Sequence, residues 1–91
     1  MQKRLELIIS GKVQGIFFRK FIKEKADLLN LRGFVQNEPN GTLKAIAEGE
    51  ENKLKELVIY AKTGPKLAQI TDLKTSWSNP TNEFKQFDIK Y

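Results

Sequence analysis

The chain has 91 residues, 40% hydrophobic and 10% aromatic, with a net charge of +5, which is enough for one small domain built on a single core. It contains no cysteine and no histidine, so disulfides, thiolate nucleophiles, imidazole bases and zinc or haem sites built on those ligands are excluded. The positive excess is concentrated: residues 1–25 carry seven Lys or Arg against two acids, residues 26–91 carry nine of each, and such a field attracts anions.

Leu5, Leu7 and Ile9 alternate with Arg4, Glu6 and Ser10, which predicts a half-buried strand over 3–10. This apolar run is too short, and too broken by Glu6, for a signal-peptide core or a membrane span, so a cytoplasmic location is expected. From Phe18 the period changes. Phe18, Phe21, Ile22, Ala26, Leu28 and Leu29 share one side of a helical wheel, and Asn30 is the expected left-handed stop. Residues 32–37 and 42–48 read as strands joined by Glu38-Pro39-Asn40-Gly41, a hairpin signal. Leu54, Leu57, Val58 and Ala61 predict a second helix that Gly64-Pro65 ends; a fourth strand is expected over 67–77, and Phe87, Ile89 and Tyr91 alternate as a fifth.

The order β-α-β-β-α-β plus one strand predicts an α+β sandwich, with two helices on one face of an antiparallel sheet of four strands and a C-terminal fifth. In a split crossover the first two strands run the same way with the third between them. Their C-terminal ends share one edge, which brings Asn37 toward the stretch "GKVQGIFFR" at 11–19. A strand that passes through a glycine-containing loop into a helix leaves backbone N–H groups pointing outward, and Arg19 adds a planar charged donor set. Taken singly, Gly11 and Gly15 also suit a bulge or tight turn, Arg19 an exposed basic helix face, Asn37 a turn before Pro39, and the phenylalanines a core.

Gly11-Lys12-Val13-Gln14-Gly15-Ile16-Phe17-Phe18-Arg19, then Gly33-Phe34-Val35-Gln36-Asn37 and Gly41, resembles the acylphosphatases. The resemblance runs on through Ala47-Glu48-Gly49, Gly64-Pro65 and the closing Phe87, Ile89 and Tyr91, with Phe17, Phe34 and Asn30 as departures from the family's commoner residues. It implies a single ferredoxin-like domain over 1–91 that hydrolyses acyl phosphates to a carboxylate and inorganic phosphate without metal or cofactor. Val13, Gln14, Gly15, Ile16 and Phe17 would then cradle the phosphoryl oxygens through backbone N–H groups, Arg19 would bind the same group, and Asn37 would orient the attacking water. Inorganic phosphate is expected as product and inhibitor, the protein as a monomer, with neither nucleic acid nor membrane as partner.

Two other readings compete. An RNA-binding module shares the element order and the basic charge, and Arg32-Gly33-Phe34-Val35 imitates a base-stacking motif; that motif belongs on the third strand, however, and residues 42–48 hold no aromatic. A non-catalytic anion sensor would use the same loop. Release of phosphate from an acyl phosphate separates an enzyme from both.

Overall fold

The computed structural model describes residues 1–91 and contains, in chain order, β1 (Gln2–Lys12), α1 (Phe18–Leu28), β2 (Arg32–Asn37), β3 (Leu43–Glu50), α2 (Glu51–Thr63), β4 (Gln69–Ser78) and β5 (Phe87–Lys90). The strands form one sheet in the order β4-β1-β3-β2-β5. The β1–β3, β1–β4 and β2–β3 ladders are antiparallel as expected, whereas β5 runs parallel to β2, so the sheet is mixed.

Both helices cover one face. Leu5, Leu7, Ile9, Val35, Leu43, Ala45 and Ala47 point into a core shared with Phe18, Ile22 and Ala26 of α1 and Leu54, Leu57 and Ala61 of α2. Each large aliphatic side chain taken out of water there contributes about 1.5–3 kcal/mol. Of the two leucines expected on this face at the end of α1, Leu29 is buried and Leu28 is 70% exposed. Asn30 adopts φ 58°, the left-handed stop expected after α1.

The boundaries move where tertiary pairing decides them. β1 runs on to Lys12 because a bulge at Ser10/Gly11 shifts the register and lets Gly11 and Lys12 pair with Ile70 and Gln69. Gly11 sits at φ 122° so close to β4 that a Cβ would lie 2.1 Å from the Gln69 carbonyl oxygen; of its two readings, the bulge holds. β4 begins at Gln69 rather than at 67, because the Ala68 N–H closes a turn onto the Pro65 carbonyl.

β4 and β5 lie at opposite edges, so the connection over residues 79–86 crosses the face that the helices leave open. Under it lies Glu48, fully buried. Its carboxylate accepts hydrogen bonds from Arg4 Nη1 (2.8 Å), Thr81 N (2.8 Å), Thr81 Oγ1 (2.9 Å) and Asn82 N (2.9 Å). Desolvation pushes this carboxyl group up, but the Thr81 and Asn82 amides, the Arg4 guanidinium and the Thr81 hydroxyl together outweigh it and hold the pKa down at about 2. Phe34, on the same face, packs edge-on against Phe84 with centroids 5.8 Å apart, and Lys90 Nζ lies 3.9 Å from its centroid. The ring that imitated a base-stacking platform is thus partly covered.

Candidate active site

The loop over residues 13–17 carries β1 into α1 through two left-handed residues, Gly15 at φ 73° and Phe17 at φ 65°. Gly15 faces open space, so its backbone angle rather than crowding is what favours glycine there. For Phe17 the same region costs about 1–2 kcal/mol. The consequence is a row of free donors: no backbone N–H from Val13 through Lys20 donates to a protein acceptor. The N-terminus of α1 also has no side-chain cap and no acid in its first turn. Unpaired amides at the positive end of a helix dipole suit an anion.

The loop is anchored at two points. Val13 is buried in the core, and Gln14 Nε2 donates to the carbonyls of Glu38 (2.8 Å) and Thr42 (2.9 Å), clasping the loop to the β2–β3 turn. Of the five loop residues expected around an anion, Val13, Gly15 and Phe17 line the adjoining cleft, while Ile16 packs against the core and the Gln14 side chain is spent on the clasp.

That cleft encloses about 420 Å³ between the loop, the first turn of α1 and the ends of β2 and β5. Arg19 and Asn37 both line it, as the topology predicted, because Leu43 of β3 lies opposite Ile9 on one side and Asn37 on the other. Asn37 Oδ1 is buried with no hydrogen-bond partner within the protein. Arg19 Nη1 donates to the Lys90 carbonyl at 3.3 Å, and its guanidinium carbon stands 4.8 Å from the Tyr91 ring centroid. No acidic side chain lines the cleft, and no group of three His, Cys, Asp or Glu gathers anywhere in the chain.

Lys20, Ile89 and Tyr91 also line the cleft, and sequence reasoning did not single them out as site residues. The alternation of Phe87, Ile89 and Tyr91 signalled a strand, but its place beside β2 follows from the 79–86 crossing, which no local pattern announces.

Comparison with known proteins agrees with this geometry. The family model described as Acylphosphatase matches residues 5–89. An acylphosphatase of Dehalococcoides mccartyi is 38% identical over 88 residues, covering 96% of this chain and 97% of its own. Among solved structures, the acylphosphatase of Bacillus subtilis superposes with a TM-score of 0.94 at 34% identity, covering 98% of this chain and 99% of its own. An acylphosphatase from Coxiella burnetii does so with a TM-score of 0.91 at 28% identity, covering 98% and 93%.

Proposed function

The chain belongs to the acylphosphatase family, and from that premise we propose how it acts as a hydrolase of acyl phosphates. The observation that supports the mechanism is the row of unpaired N–H groups from Val13 to Lys20, in a segment whose Val13, Gly15 and Phe17 line the same cleft as Arg19 and Asn37.

The phosphoryl group docks on the amides of Val13, Gln14, Gly15, Ile16 and Phe17, and Arg19 spans two of its oxygens. These donors are fixed before substrate arrives, the loop by Val13 and the Gln14 clasp, Arg19 by Lys90 and Tyr91. They meet charge that grows on the phosphoryl oxygens without reorganising. Asn37, which lines the cleft, holds a water on the face of phosphorus opposite the leaving oxygen. As the water oxygen bonds to phosphorus, the acyl C–O–P link breaks at the P–O bond, the carboxylate leaves with the electron pair, and the water's proton passes to a phosphoryl oxygen. Carboxylate is a weak base, so departure needs no general acid, and a chain without histidine is equal to the task.

On this reading the 91 residues work as a single monomeric domain, with no metal or other cofactor, and the basic surface serves the small anion rather than nucleic acid. No helix is long and apolar enough to cross a membrane. The test is steady-state hydrolysis of benzoyl phosphate in excess chelator. Full turnover with competitive inhibition by inorganic phosphate is expected. Activity that vanished with chelator and returned with magnesium would overturn the proposed mechanism.

A further inference from the structure

Phe17 stands apart on three counts. A bulky ring residue occupies the left-handed region at φ 65°. Its side chain is 80% exposed, so it adds little to the core. It also lines two concavities: the cleft with Arg19 and Asn37, and a second of about 330 Å³ lined by Lys20, Phe21, Glu24 and Pro65 as well. Because Phe17 and Lys20 belong to both, the two concavities adjoin along α1.

We propose that this second concavity holds the acyl group of the substrate, and that Phe17 and Phe21 form a shelf selecting acyl phosphates whose acyl group is an uncharged aromatic ring. The proposal rests on the acyl phosphate reading above.

The shelf is built from local geometry. The Phe21 N–H donates to the Phe17 carbonyl at 3.0 Å, so the two rings rise from one side of the first helical turn. Phe21 is held in place by Phe18, edge-on with centroids 6.0 Å apart, and by Lys25 Nζ, 5.4 Å from its ring centroid. Pro65 closes the opposite side at the end of α2, where Gly64 lies so near Phe18 that a Cβ would stand 2.9 Å from the ring. Lys20 and Glu24, four residues apart, place one charge of each sign along the rim. With the phosphoryl group on the loop amides, the bridging oxygen directs the acyl carbon toward the mouth of the cleft, where Phe17 is the exposed wall. Ring faces and edges reward a flat aromatic partner beyond the area they cover.

The experiment compares kcat/KM for benzoyl and acetyl phosphate in the full chain, in Phe17→Gly and in Phe17→Leu, with folding checked by circular dichroism. Glycine keeps the backbone N–H and adopts φ 65° without strain, so Phe17→Gly is expected to fold, and Phe17→Leu carries the test if it does not. Using the ratio of the two substrates cancels effects on the phosphate site. The parent should favour benzoyl phosphate by about tenfold or more, and Phe17→Gly should lower that ratio about tenfold, with Phe17→Leu between. An unchanged ratio in Phe17→Gly, or a ratio fully kept by Phe17→Leu, overturns the aromatic shelf alone. A folded parent that hydrolyses neither compound overturns the acyl phosphate reading and the shelf with it.

Discussion

The two ends of the central strand β3 gather nearly the same set of donors suited to negative charge. Near Glu50, the buried Glu48 carboxylate takes backbone N–H groups from Thr81 and Asn82, where Asn82 is left-handed at φ 59°, together with the Arg4 guanidinium. Near Leu43, the loop over 13–17 offers backbone N–H groups around left-handed Gly15 and Phe17, together with the Arg19 guanidinium. At the first end the chain supplies its own anion, and the donors become a clamp that ties down the 79–86 crossing. At the second no acidic side chain enters, and the loop amides have no acceptor within the chain. The arginines differ accordingly: Arg4 pairs with Glu48 at 2.8 Å and Glu83 at 3.1 Å, while Arg19 meets only a carbonyl and a ring. An arginine neutralised by its own protein braces the fold, whereas one left with its charge uncompensated can bind substrate.

The largest expected effects lie at the open end. Arg19→Ala should reduce kcat/KM by roughly three decades, about 4 kcal/mol of transition-state stabilisation, and should weaken competitive inhibition by phosphate as well. Asn37→Ala should lower kcat by about two decades while leaving phosphate inhibition near its parent value, since in the proposed mechanism the amide acts on the water and not on the phosphoryl group. If Asn37→Ala weakened phosphate binding as much as Arg19→Ala, the division of labour between the two side chains would be wrong.

At the closed end the cost should appear in stability. Glu48→Gln removes the charge that four donors converge on and turns an NH2 toward some of them, so unfolding free energy should fall by about 3 kcal/mol in denaturant titrations, with kcat of the folded fraction retained. The pH dependence has a definite sign. Glu48 titrates at about 2 in the folded chain against a usual 4.5, so its contribution is fully present above about pH 5 and is lost as pH falls toward 2. The acid limb of the stability profile should therefore be shallower in Glu48→Gln than in the parent. Identical acid limbs would mean that the clamp contributes nothing to folding.

These two ends were not equally legible in the sequence. The open end announces itself locally: two glycines, an arginine and a helix start lie within nine residues, and the period change at Phe18 together with the Asn-Gly hairpin suffices to bring Asn37 across the sheet. The closed end does not. Glu48 sits in a strand pattern as one more acidic residue, and its donors Arg4, Thr81 and Asn82 come from distant segments that meet only because β4 and β5 occupy opposite edges. The same long crossing hid the placement of Tyr91 beside Arg19, and a simple helical wheel sent Leu28 inward where the end of α1 turns it out.

The smallest effect tests how Arg19 is held without a carboxylate. The Tyr91 side chain is almost fully exposed, and its ring contributes an attraction that adds no countercharge. An exposed cation–π contact is worth about 0.5–1 kcal/mol, so Tyr91→Ala should weaken phosphate inhibition and raise KM by about two- to fivefold, with little change in kcat or in thermal stability. Tyr91→Phe keeps the ring face and should behave as the parent. A carboxylate in the same place inverts the logic: Tyr91→Glu would give Arg19 the kind of partner that Arg4 has, and should inhibit more than Tyr91→Ala because the substrate must then displace an ion pair. Equal behaviour of the Ala and Glu variants would show that Arg19 binds its ligand regardless of its neighbour's charge, and the distinction drawn between the two arginines would fail.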